Sequence, residues 1–267
     1  MSIKKTVKVK MFVIKLTCAL FALHISEASD KYYKEKPNFI KTCYKSDPNF
    51  GDCSREAVQG IFDKLKDGIP DIGIPKLDPM KIPKIRILQG EGPVSVNAAL
   101  NDVVVTGFSN TEVVISEVDE TKSYDFFTRI KIPHLRIEGI YNLRGKILLV
   151  PLLGRGKCWF EPTNLEIDIL SDVIPYKRDE FAFFNVTATH VKFNIGGLTF
   201  RMNNLFDGIK SLEDSTNAYL NANWRPVAES LKPILARTIE DIMIVILQKI
   251  FHTIPANFFI ADIKVPN

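Results

Sequence analysis

Few side chains in this chain are equipped for chemistry. Cys43 and Cys53 bracket the segment CYKSDPNFGDC, in which Asp47, Pro48, Asn49 and Gly51 are turn formers able to fold the two thiols together. In an oxidising compartment that spacing predicts a Cys43–Cys53 disulfide. Cys158 is then left over, either as a buried thiol beside Trp159 or as an intermolecular link. No C-x-x-C occurs, and His134, His190 and His252 form no H-x-x-x-H pair, so no metal site is expected. G-x-S-x-G, G-x-G-x-x-G and EF-hand loops are absent. The segment Gly139 to Ile147 misses the P-loop pattern, with one residue too many between its glycines and no Ser or Thr after Lys146. A triad assembled from distant positions would need one of three histidines that read equally well as surface or core residues. The chain is therefore read as a non-enzyme with no catalytic residue and no cofactor.

One modification signal remains. Asn185-Val186-Thr187 is an N-glycosylation sequon, used if the chain is secreted and Asn185 lies on an outer face. Phe184 and Val186 would then point inward. Phe181 and Phe183 share the face of Asn185, so the pattern must slip nearby or leave rings exposed.

The compartment can be read from the first 28 residues. Lys4, Lys5, Lys8, Lys10 and Lys15 precede or open an apolar run from Leu16 to Ile25, and Ser26-Glu27-Ala28 offers small residues for cleavage after Ala28. As a membrane anchor the run is too short, since a bilayer core takes ~20 helical residues. Residues 1–28 are expected to be a signal peptide, the protein to be secreted and extracellular, and residues 29–267 to form a single domain. The formal charge of +4 resides in the leader, because beyond residue 28 acids and bases balance. That leaves no surplus of cations for phosphates, so no nucleic-acid partner is expected. Ile242 to Leu247, the other apolar maximum, is flanked by charge and too short to span, so neither is stable membrane insertion.

The elements follow from periodicity. Ser54 reads as the N-cap of a helix whose Val58, Ile61, Phe62 and Leu65 recur at helical spacing, with Gly68 and Pro70 ending it. Four prolines, Pro70, Pro75, Pro79 and Pro83, then force an Ile-rich stretch to run extended. From Val94 to Phe200 the period becomes two: Val103/Val105, Val113/Ile115, Tyr124 through Ile132, Leu135/Ile137, Ile147/Leu149, Leu165/Ile167/Ile169 and Val191/Phe193/Ile195. Turns are expected at Gly107, Asn142 to Gly145, Gly154 to Gly156 and Gly196-Gly197, giving an antiparallel meander. The apolar phase slips at Pro133, where a bulge would turn a corner. After Gly208 helical spacing returns, with Ser211 and Asp214 placed as a capping box and Pro226 and Pro233 dividing a short helix from a long one reaching about Ile250. That long helix is apolar nearly all round and must be surrounded by protein, for which the meander is the available element. The expected fold class is α+β, a long curved antiparallel sheet wrapped around a C-terminal α-helix.

Several segments together resemble one family. The two-cysteine loop CYKSDPNFGDC, the stretch IPDIGIPKLDPMKIP, the run RIEGIYNLRGKILLVPLLGRGKCWFEPTNLEIDI and the C-terminal NANWRPVAESLKPILARTIEDIMIVILQKIFHTIP are similar, in this order over about residues 39 to 260, to the insect takeout and juvenile hormone binding proteins. The resemblance implies a tubular lipid-binding super-roll and an extracellular carrier that holds a lipophilic ligand between helix and sheet. Hormone binders of that family carry a second disulfide; Cys158 lacks a partner, which places the chain nearer the takeout branch.

The expected partner is a small lipophilic ligand, a juvenile hormone-like terpenoid, a fatty acid or a related lipid. Candidate lining residues are Trp224, Val227, Leu231, Leu235, Ile242 and Ile246 on the helix, and Tyr124, Phe126, Ile132, Ile137 and Leu149 on the sheet, each of which could instead be plain core. Burying a chain of about fifteen carbons at ~0.8 kcal/mol per CH₂ gains on the order of 10 kcal/mol. Immobilisation removes about half or more, which leaves roughly micromolar binding. Selectivity then needs a buried hydroxyl at the ligand's polar end, for which Tyr124 and Tyr141 are equal candidates. Two other classes stay open: a lipid-transfer protein that docks on membranes, and a secreted signalling or interaction module with a solid interior.

Overall fold

A computed structural model describes residues 32–89, 94–119, 124–147 and 150–264. The expected signal peptide and Leu149 lie outside them. The period-two segments, with the end of the proline-rich extended stretch before them, form eight antiparallel strands: β1 Met80–Gln89, β2 Val94–Thr106, β3 Glu112–Asp119, β4 Asp125–His134, β5 Arg136–Ile147, β6 Val150–Arg178, β7 Phe181–Asn194 and β8 Gly197–Met202. Helix α1 spans Phe50–Leu65, α2 Lys210–Ala222 and α3 Trp224–Thr253. The fold class matches the expectation: a long curved antiparallel sheet, not closed into a barrel, with a long C-terminal helix.

The spine of the sheet is β6, with 29 residues. At about 3.3 Å per residue it would exceed 90 Å if straight, so it has to curve and twist within a molecule of this size. One side of β6 carries β5 and then β4, the other β8 and then β7; β2 and β1 continue from β5, and β3 from β4.

The phase slip at Pro133 has a cause other than a bulge. His134 pairs with Thr163 and Ile137 with Phe160, so β4 and β5 keep one unbroken register along β6. On the far side Glu166 pairs with Asn194 and Thr163 with Gly197, again without a shift between β7 and β8. Around Leu135, Asn164 and Gly196, where Asn164 takes φ 50°, the buried face changes from one residue parity to the other. True register shifts occur at Asn101–Val104, Val113–Ile115 and Asp172–Val173.

Other local expectations are corrected. Asn142 to Gly145 and Gly154 to Gly156 are not turns; they lie inside β5 and β6 and pair with each other, Leu143 opposite Gly154. The glycines are there because backbone passes close by: a Cβ on Gly156 would sit 2.1 Å from the Asn203 carbonyl oxygen. Ser54 is not a cap but an interior, buried residue of α1, which begins at Phe50. Ser211 and Asp214 likewise lie within α2, and Asp214 pairs with Lys210 and Arg201 rather than capping the helix. Pro226 falls in the first turn of α3, where its missing N–H is harmless, and Pro233 is accommodated within the helix.

Inward-facing Val103, Ile130, Ile132, Ile167 and Ile169 pack with Ile239 and Met243 of α3. The helix is not sealed on every side, since Val245 is 50% exposed and most of its apolar residues are half-buried. Side chains from the helices close three sheet edges. Asn217 and Asn221 of α2 each accept a backbone N–H from, and donate to a carbonyl of, β8 at Met202 and Phe200. From α3, Glu240 accepts the Val191 N–H and Gln248 donates to the Val186 carbonyl of β7. Gln59 of α1 does both at Val113 and Thr111 beside β3. The fourth edge, β1, carries Lys81, Pro83, Lys84 and Arg86, residues that discourage strand addition.

Candidate functional site

The stripe on α1 and the apolar girth of α3 meet over the inner face of β4 and β6, and they do not fill the space between them. A cavity of about 130 Å³ remains. α1 contributes Phe50, Ala57, Val58, Ile61, Phe62 and Leu65; α3 contributes Met243, Ile246, Leu247, Ile250 and Phe251. Phe126, Thr128, Ile169 and Ser171 form the sheet wall, and Phe259 and Ile260 of the C-terminal tail close one end. Phe251 stacks on Phe126 at 5.5 Å and meets Phe259 edge-on at 5.5 Å, which fixes the rings that shape that end.

The position of α1 is held by covalent and polar ties. Cys43 and Cys53 are bridged, as their spacing predicts, and Cys43 itself faces the cavity. The Asp262 carboxylate accepts the backbone N–H groups of Lys45 at 2.7 Å and Ser46 at 3.0 Å, tying the tail to the cysteine loop. The Lys45 amide is the chief reason its carboxyl is held at about 2, below the ordinary 3.8.

Among the described residues no Lys, Arg, His, Asp or Glu lines the cavity. Its polar lining consists of Ser54, Thr128 and Ser171, with Ser116 behind the wall, bonded to Ser54 at 2.7 Å between hydroxyls. The site can bury an apolar chain and offer hydroxyls; the described lining residues include no acid, base or nucleophile pair. Among the described residues no three His, Cys, Asp or Glu side chains gather as metal ligands. His134 lies 3.9 Å from Glu161 and His190 3.8 Å from Asp172, while His252 abuts Tyr176, so the three stand apart.

Of the candidate lining residues, the structure brings Phe126 and Ile246 into the cavity wall. Ile132 is 1% exposed in the packed core of the inner face, with Ile137 at its margin. Val227 is buried and Leu231 packs beside it in a separate cluster with Leu220 and Met202. Trp224, Leu235 and Ile242 are half-buried along α3, away from this cavity. Tyr124 is buried at the turn before β4, and its hydroxyl accepts the Lys264 N–H at 2.8 Å. Tyr141 donates its hydroxyl to the Asn203 carbonyl at 2.8 Å. Neither tyrosine lines the cavity.

Cys158 is a free, buried thiol, pushed up to about 11 by burial. Asn185 is exposed, with Phe184 and Val186 buried on the opposite face. Phe183 shares the outer face of Asn185 yet is fully buried, covered by Tyr32, Tyr176 and the Arg178 guanidinium.

Residues 16–261 match the family pattern described as haemolymph juvenile hormone binding protein. The circadian clock-controlled protein daywake of Drosophila melanogaster is 25% identical over 230 residues, covering 84% of this chain and 87% of the relative. A putative beta-carotene-binding protein of Schistocerca gregaria is 23% identical over 221 residues, 80% of this chain and 85% of the relative. The crystal structure of Epiphyas postvittana Takeout 1 superposes with a TM-score of 0.72 at 20% identity, covering 83% of this chain and 99% of that one, which establishes the shared fold.

Proposed function

The chain belongs to the haemolymph juvenile hormone binding protein family, and on that premise we propose that it is a secreted carrier which buries a small lipophilic ligand in the cavity between α1, α3 and the sheet. The observation that carries this reading is an apolar space between α1, α3 and the sheet, with no charged side chain among the described residues that line it. A terpenoid, a fatty acid or a related lipid placed there leaves water at ~0.8 kcal/mol per CH₂, with Phe126 and Ile246 among its contacts. The carotenoid named for the locust relative is a lipophile of the same broad kind and supports the reading. In this proposal residues 1–28 direct secretion, residues 29–267 form one lipid-binding domain, and the exposed Asn185 takes a glycan on the outer surface.

The test is uptake. Protein delipidated by unfolding and refolded is titrated with a fluorescent fatty probe and a fluorescent terpenoid probe, and the freshly purified protein is weighed intact by native mass spectrometry. Saturable uptake at micromolar concentration or tighter is expected. Refolded protein with native circular dichroism that takes up neither probe rules the carrier reading out.

A further inference from the structure

Where β1, β2, β5 and β6 run side by side, Val96, Tyr141, Leu143 and Leu152 face inward and pack with Leu220 of α2 and Val227 of α3. The residues between them face outward, and the register lines them up in rows. Lys84, Asn101, Ile140 and Lys157 form one row, Arg86, Ala99, Asn142 and Arg155 a second, and Leu88, Asn97, Arg144 and Leu153 a third, with Lys146 opposite Pro151 just beyond. Six cations thus share a patch three strand spacings wide, about 14 Å.

The patch holds no counter-charge of its own among the described residues. Segments 84–89, 95–101, 140–147 and 150–157 include no Asp or Glu, and Glu91, between β1 and β2 in sequence, leaves the excess at five. Asp102 and Glu138 stand past one margin, where Glu138 is held by Arg136 at 2.7 Å. Among the described residues none of the six cations is in an ion pair, whereas Arg129, Arg136 and Arg201, elsewhere on the sheet, each grip a carboxylate. Beyond residue 28 the chain is neutral as a whole, so the excess is one of placement. Protection of an open edge accounts for Lys84 and Arg86. It does not account for Arg144 and Lys146 on β5, between β2 and β6, or for Arg155 and Lys157, whose stretch of β6 is flanked by β5 and by residues 203–205. The same rows expose apolar side chains: Leu88 is 61%, Leu153 47% and Ile140 37% exposed.

We propose that this outer face of β1, β2, β5 and β6 docks on a lipid bilayer that carries anionic headgroups. Like charges set side by side on a sheet repel one another and weaken the fold. An anionic surface turns that repulsion into attraction, about fivefold in partition for each Lys or Arg that reaches it. The apolar side chains decide for a bilayer over a soluble polyanion. Leu88, Ile140 and Leu153 can enter the boundary between headgroups and acyl chains, whereas a polyanion would leave them in water. The docking is peripheral, and it does not depend on the carrier reading.

The test is co-sedimentation of the full-length protein with vesicles of phosphatidylcholine alone or mixed equally with phosphatidylserine, at about 0.1 M salt. Wild type is expected to prefer the anionic vesicles by about a hundredfold and to release them as salt is raised. Arg144→Gln/Lys146→Gln/Arg155→Gln should lose at least about tenfold. Lys66→Gln/Lys76→Gln/Lys177→Gln, which removes the same charge from exposed positions elsewhere, should stay within about threefold. Leu88→Ser/Leu153→Ser should lose about three- to tenfold on vesicles and nothing on heparin. Wild type without a preference for anionic vesicles overturns the proposal, as does a control triple variant that loses as much as the first. Binding to heparin without binding to vesicles, or a leucine variant equal to wild type on vesicles, overturns the assignment to a bilayer. Uptake of a fluorescent fatty probe in solution should be the same in wild type and all three variants, so failure of the carrier reading and failure of this one are read separately.

Discussion

Ala57 is buried on α1 and lines the cavity, and replacing it with phenylalanine separates a ligand site from an imperfection in packing. Empty apolar volume costs about 24 cal/mol per Å³, so a cavity of about 130 Å³ destabilises the ligand-free protein by roughly 3 kcal/mol. A phenyl ring at position 57 recovers part of that. It also gives back about 0.5 kcal/mol of helix propensity, and 1 to 3 kcal/mol if it strains its neighbours. Stripped Ala57→Phe should therefore unfold within about 2 kcal/mol of wild type in urea. Ligand present at a hundred times its dissociation constant adds ~2.7 kcal/mol to wild type, and this increment should vanish in the variant, with probe affinity at least tenfold weaker. Leu231→Trp, in the separate cluster around Val227, is the control: it should cost ~1 to 3 kcal/mol of stability and leave probe affinity within threefold. A well-folded Ala57→Phe protein with wild-type affinity would show that the cavity is not where ligand binds.

Three further outcomes are expected. The Asp262 carboxyl, held at about 2 against 3.8 when free, contributes stability that is complete above about pH 5 and lost as pH falls through its folded value. Asp262→Asn should flatten that part of the acid limb of the urea midpoint, and an unchanged limb would dismiss the tie to Lys45 and Ser46. Asn217→Ala strands the N–H and carbonyl of Met202 at a buried edge and should cost at least about 2 kcal/mol in urea unfolding, whereas Asn223→Ala, which loses only a solvent-exposed bond to the Tyr219 carbonyl, should cost under 1 kcal/mol. The Cys158 thiol, pushed up to about 11 and buried, should resist iodoacetamide at pH 8 until the protein unfolds; rapid labelling of native protein would contradict its placement.

What could be read from the chain was whatever local chemistry dictates. Alternation located most of the strands, turn formers between Cys43 and Cys53 foretold the bridge, and Pro226 marked the first turn of α3, whereas Pro233 did not interrupt it. Glycines misled, because Gly154 and Gly156 serve the passage of residues 203–205 and local propensity knows nothing of a distant segment. The capping patterns at Ser54 and Ser211 failed because helices α1 and α2 start earlier, without side-chain caps. The candidate site was legible in part. A helix apolar on all sides announced that something had to face it, and Phe126 and Ile246 do. The stripe of α1 was visible as a helix face, but nothing local says that it is the opposite wall, since that depends on the disulfide and on the tail at Phe259 and Ile260 reaching back to Cys43. Ser171 and Thr128 carried no signal, as hydroxyls on a strand are commonplace until the fold sets them against a cavity.

The helix side chains that bond along β8, β7 and β3 have a consequence for how this architecture can vary. A barrel is fastened by main-chain ladders, which any residue but proline can form, so its seam is indifferent to side-chain identity. Here the seams depend on Asn217, Asn221, Glu240, Gln248 and Gln59. A single substitution can loosen one margin and leave the others fastened, so the aperture of the roll is adjustable residue by residue, without rebuilding the sheet.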